Sequence, residues 1–97
     1  MATQNKVKSI NFSLGKKEID LLTRLCNAVS VSGDEQKVRQ IVLEEVQNLA
    51  DEVKTDALGN VLVTKKGSGP NCLRVMLSGH MDEVGMMIVK ELSLIHI

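Results

Sequence analysis

Aromatic residues are nearly missing from this sequence: Phe12 stands alone, with no Trp and no Tyr. There is a single proline, there are two cysteines, and twelve Lys+Arg cancel twelve Asp+Glu across 97 residues. Each shortage excludes something. Without a basic excess the chain has no surplus charge to neutralise a phosphate backbone, so nucleic-acid binding is disfavoured. No apolar run approaches the roughly 18 residues that span a bilayer, so no membrane role is expected. Met1 to Lys8 is polar and lacks the apolar stretch of a secretory signal, which makes the cytoplasm the expected compartment. Cys26 and Cys72 are too few for a disulfide scaffold and lack Cys-x-x-Cys spacing, so both are expected as small buried fillers. The length admits one small domain. Apolar residues reach 43%, yet they are Val, Leu, Ile and five Met rather than bulky rings. A domain of this size buries only about 60% of its unfolded surface. The composition therefore suits an independent domain or a piece of a larger one.

The periodicity is informative. Ile19, Leu22, Leu25, Cys26 and Val29 recur at three- and four-residue steps and predict a helix from Lys16 to about Val29. Ser32-Gly33-Asp34-Glu35 reads as a capping box, Ser32 accepting from the Glu35 N–H while Glu35 reaches back. A second helix follows to about Leu49, with Val38, Ile41, Val42, Val46 and Leu49 on its buried stripe. Beyond Glu52 the pattern becomes that of strands, first as a hairpin around Asp56-Ala57-Leu58-Gly59-Asn60. Lys65 to Asn71 is loop by composition, with Lys65-Lys66 a solvated face. Leu73–Leu77 and Val84–Val89 then read as two strands of a sheet covered on both faces, because neither alternates. Met81, Met86 and Met87 are expected to pack within it. The whole is an α/β layer fold with helices for one face of the sheet and nothing for the other.

Gly79-His80-Met81-Asp82 carries the chemistry. Two residues apart on extended backbone, His80 and Asp82 share a face. They sit just past the carboxyl end of an apolar run, where α/β sheets gather ligands, and Gly79 offers backbone freedom there. One imidazole nitrogen can hold a metal while the other donates to the Asp82 carboxylate, which fixes the tautomer. A bare His-x-Asp also arises by chance, and a loop histidine tied to a carboxylate for local order is commoner. A zinc site needs three or four ligands, so the motif alone decides nothing.

Four stretches in order decide more: Leu21-Leu22-Thr23-Arg24-Leu25-Cys26, Val31-Ser32-Gly33-Asp34-Glu35, Asp56-Ala57-Leu58-Gly59-Asn60-Val61, and Leu77-Ser78-Gly79-His80-Met81-Asp82-Glu83-Val84-Gly85. Together they resemble the M42-type metallo-aminopeptidases, the cytosolic group of glutamyl and large tetrahedral aminopeptidases, some of which carry cellulase or endoglucanase labels. The resemblance runs from Ile19 to Lys90.

It implies the N-terminal part of a zinc-exopeptidase-like three-layer domain over residues 16–90, with an inserted β domain starting near 84–90. Residues 1–15 form an arm, and 91–97 a tail outside the resemblance, so His96 carries no role. His80 matches a ligand of a two-metal site, zinc or cobalt, and Asp82 matches the catalytic residue that orients it. Gly59 and Asn60 match a structural turn. Glu83 is not the family's general base, which lies much further along, as do the remaining ligands. The implied protein hydrolyses N-terminal residues from peptides with a metal-activated water and assembles as a homo-oligomer, while this short chain is expected to be inactive. Two alternatives stay open: a related dipeptidase or deacylase, and a non-catalytic α/β interaction domain.

Overall fold

The computed structural model describes residues 12–91. Most of the expected arm and all but residue 91 of the expected tail, His96 included, lie outside the described residues. Two helices and a hairpin follow in chain order: α1 (Lys16–Asn27), α2 (Gln36–Val46), β1 (Glu52–Thr55) and β2 (Val61–Thr64). This is an α/β arrangement of the kind the periodicity predicts, with both helices ending a turn or less before their apolar patterns do.

Helix α1 starts where Glu18 folds back, its carboxylate accepting from the Gly15 N–H at 2.9 Å. It stops at Ala28, whose backbone is extended. Arg24 fastens it to α2 through Glu44 at 2.9 Å and Glu45 at 3.0 Å. These groups are partly exposed, so the pairs orient the helices more than they stabilise them. The start of α2 differs from the expected capping box. Ser32 makes no cap bond, and Glu35 occupies the cap position itself. Its carboxylate accepts from the Gly33 N–H at 2.8 Å, which is possible because Gly33 turns the chain at φ +91°. That bond holds the Glu35 carboxyl below its usual range.

β1 and β2 pair antiparallel, with Val53 opposite Val63 and Thr55 opposite Val61. Asp56 organises the connection. One carboxylate oxygen accepts from the N–H groups of Leu58 and Asn60, both at 2.9 Å, and the other from the Asn60 side-chain amide at 2.8 Å. Gly59 completes the turn at φ +88°, a conformation costly for any residue with a Cβ. At the far end of the hairpin, Asp51 accepts from the Lys66 N–H and pairs with Lys65 at 3.7 Å, so the lysine loop is solvated but anchored.

The turn gives a pH prediction. The Asn60 side chain and then its backbone N–H hold the Asp56 carboxyl below its ordinary value, and the Lys66 N–H does the same for Asp51. A depressed folded pKa contributes stability above the unfolded value, about 4, and the contribution fades as pH falls through the folded one. Hairpin protection is expected to be flat from neutral pH to about 5 and to drop below about 4. Asp56→Asn should be weaker at neutral pH and lose part of that acid dependence. Amide exchange at Gly59 and Asn60 across this range checks it; a parent and variant with identical acid profiles would refute the assignment.

Three expectations fail. Leu73–Leu77 and Val84–Val89 form no strands: the only regular pairing near them among the described residues is a single parallel bridge from Val31 to Glu83. An extended segment becomes a strand only by sharing its N–H and C=O groups with a neighbour, and these two meet none. Their side chains are correspondingly open, Leu77 at 94% and Ile88 at 90%. Met86 is equally exposed, so the packing expected of it is not made, while Met87 is half exposed and Met81 partly buried. Cys26 and Cys72 are free and exposed rather than buried. Cys26 sits on a helix with no buried residue, and the Cys72 thiol donates to the Gly69 carbonyl at 2.9 Å. The buried centre among the described residues is small, consisting of Val38 on α2 at 4% exposure and Ser30 at 2%.

Candidate functional site

A groove of about 880 Å³ runs between the hairpin and the segment Met76–Asp82. β2 and the turn before it form one wall, while Glu35 and Val42 reach it from α2 and its cap. His80 and Asp82 line the same groove from the Met76–Asp82 segment. The His80 side chain is 85% exposed. Its position is nevertheless defined on one side, since Nδ1 lies 2.8 Å from the Asp82 backbone carbonyl.

That contact determines the tautomer. A carbonyl oxygen can only accept, so Nδ1 must carry the proton and donate it. In the neutral ring the lone pair is then on Nε2, away from the bond. The partner differs from the one the sequence points to. The Asp82 carboxylate stands at 3.4 Å from Nδ1, further than the carbonyl of the same residue. Asp82 thus acts on the imidazole with its backbone at hydrogen-bond distance and its charge just behind.

The segment is placed by its neighbour. The Glu83 N–H donates to the Ser30 carbonyl at 2.9 Å, bridging the loop after α1 to the residue that follows Asp82. Gly85 packs so closely on Val31 that a Cβ there would overlap it. Gly79 has no such need. A Cβ on it would meet nothing within 4 Å, and its backbone is not left-handed. Glu83 takes part through its backbone.

Sequence reasoning missed Ser30 and Arg39. Ser30 sits in an otherwise apolar-to-polar transition with no motif. Arg39 does leave a signal: it is four residues after Glu35 on α2 and pairs with it at 3.9 Å. Its Nε donates to the Gly59 carbonyl at 2.8 Å. Among the described residues, no three His, Cys, Asp or Glu side chains converge to hold a metal ion. No helix there is long and apolar enough to cross a membrane.

Residues 59–93 match the M42 glutamyl aminopeptidase family. The chain is 42% identical over 69 residues to a protein of Acetivibrio thermocellus provisionally named an aminopeptidase, covering 71% of this chain and 20% of that protein. It is 40% identical over 70 residues to a lysyl aminopeptidase of Pyrococcus furiosus, covering 71% and 19%. A glutamyl aminopeptidase of Lactococcus lactis is 35% identical over 69 residues, again covering 71% and 19%. No solved structure matches. The similarity defines a class, the aminopeptidases, a group of hydrolases. Within it, the chain belongs to the M42 family and spans about a fifth of the length of the curated relatives it matches.

Proposed function

We propose that the chain carries the opening part of the catalytic domain of a metal-dependent aminopeptidase, within a zinc-exopeptidase-like three-layer fold. The observation that supports it most is His80: inside the family match, its Nδ1 proton is committed to a carbonyl and Nε2 is left with an open lone pair. A neutral imidazole nitrogen in that state is the donor that zinc and cobalt take most readily. The donor set fits, as one ligand of the three or four a site requires. His80 would hold a metal through Nε2, and Asp82 would keep the ring's orientation and basicity. Bound divalent metals supply an activated water and polarise a carbonyl. Peptides with a free N-terminus are the substrates of this reading, and a cytoplasmic homo-oligomer is its assembled form.

The roles of the two residues separate in variants. His80→Ala should abolish any site-specific response of the chain to Co²⁺ or Zn²⁺. Asp82→Asn keeps the backbone carbonyl that accepts from Nδ1, so the loss should be partial, about tenfold in metal affinity, the lower end of what such supporting groups contribute. Metal titration followed by NMR of the imidazole and nearby amides reads both. Responses in His80→Ala equal to those of the parent would eliminate His80 as a ligand.

A further inference from the structure

We infer that Arg39 is a positioning residue of the candidate site, holding the Asp56–Asn60 turn in place along the groove that His80 also lines. For what the groove contains, this rests on the aminopeptidase reading; the contact itself does not. Arg39 lies on α2, one residue past the buried Val38, so its backbone is fixed at the centre of the fold. Its Nε–H donates to the Gly59 carbonyl at 2.8 Å, and the guanidinium, Nη2 foremost, occupies the space a Cβ on Gly59 would need. Gly59 is at φ +88°. The glycine is therefore required twice, by the turn and by the arginine laid over it. Glu35 stands beside the guanidinium at 3.9 Å and itself lines the groove.

The geometry makes a short relay. Glu35 grips Gly33 and flanks Arg39, Arg39 grips Gly59, and Asn60, the next residue, lines the groove together with His80. Ser30, a few residues earlier in the same loop, holds the other wall through Glu83. Both walls are thus referred to one connection, residues 30–35 and the first turn of α2. A branched, charged donor suits this task better than lysine, because one nitrogen of its fork donates to the carbonyl while the rest fills the space beside the glycine.

Amide exchange of the 97-residue chain and its variants tests the inference. Arg39→Ala should speed exchange at Gly59 and Asn60 by about tenfold, the usual loss for one hydrogen bond from a charged donor, while amides within α2 change much less. Gly59→Ala should speed it further, because it strains the turn at φ +88° as well as displacing the guanidinium. The double variant should be no faster than Gly59→Ala alone, since the arginine contact is already lost there. Zn²⁺ supplies the second readout. In the parent it should shift signals of His80, Asp82 and, across the groove, Asn60; in Arg39→Ala the Asn60 shift alone should vanish. Unchanged turn exchange, a uniform acceleration everywhere, or additive variants would each overturn the inference. A parent with no His80 response to Zn²⁺ would defeat the metal reading instead, and exchange would then decide Arg39 by itself.

Discussion

The 97-residue chain is expected to release no amino acid from aminoacyl chromogenic substrates, with or without added zinc or cobalt, above the level of its His80→Ala variant. The expectation follows from counting donors. His80 offers one open nitrogen, and the Asp82 carboxylate stands on the other side of the ring, 3.4 Å from Nδ1. Among the described residues no further His, Cys, Asp or Glu converges on them. A site that lowers the pKa of water needs three protein ligands to fix the ion and a carboxylate or similar base to take the proton. Loss of these groups removes the larger part of a rate enhancement rather than a fraction of it. A single loop histidine at high exposure also exchanges its metal freely, so saturation would not rescue turnover. Metal-dependent hydrolysis that disappears in His80→Ala would mean that the chain completes a site in solution, by itself or with a second copy, and that the ligand count is wrong.

What could be read in advance from the sequence follows the range of the forces involved. Helix α1, helix α2 and the hairpin are set by contacts within a few residues, and their apolar periods and turn chemistry mark them in place. Asp56 through Asn60 is the clearest case, since every bond that forms the turn lies inside five residues. His80 and Asp82 were legible for the same reason, as neighbours on one short segment. The exchange of carbonyl for carboxylate at Nδ1 was not, because a rotation of one peptide separates the two and no residue type records it. Leu73–Leu77 and Val84–Val89 have strand composition, but strand formation is decided by a partner elsewhere, and composition cannot supply one. The burial expected of Cys26 failed similarly: helix α1 has its apolar stripe, yet none of its residues is buried. Arg39 was hidden because an arginine beside an apolar stripe usually points to water. Its target, a glycine carbonyl twenty residues away, becomes apparent only in three dimensions.

The other large effect expected is self-association at micromolar concentration, seen as a mass that rises with protein loading. Its cause is the same pair of unpartnered segments. Leu73, Val75, Met76 and Leu77 are exposed over most of their surfaces, and so are Val84, Met86, Ile88 and Val89. On the helical side Ile19, Leu22 and Val29 are more than half exposed as well. Monomeric proteins rarely leave contiguous apolar patches beyond a few hundred Å² open to water, and here two runs of such residues lie within seventeen positions of each other. Their backbones carry unpaired N–H and C=O groups, the usual template for strand addition from another chain. The formal net charge of zero removes the long-range repulsion that would keep copies apart. Charge placed on these segments should reverse the effect. Leu77→Lys together with Ile88→Lys breaks both runs and adds two like charges per chain, while leaving Val38, the hairpin and the Arg39 contact untouched. Light scattering after size exclusion should then give a lower mass for the variant at every concentration. A parent that elutes as a sharp monomer and unfolds cooperatively would mean that Leu73–Leu77 and Val84–Val89 cover one another in solution, and that the open surface closes within a single chain.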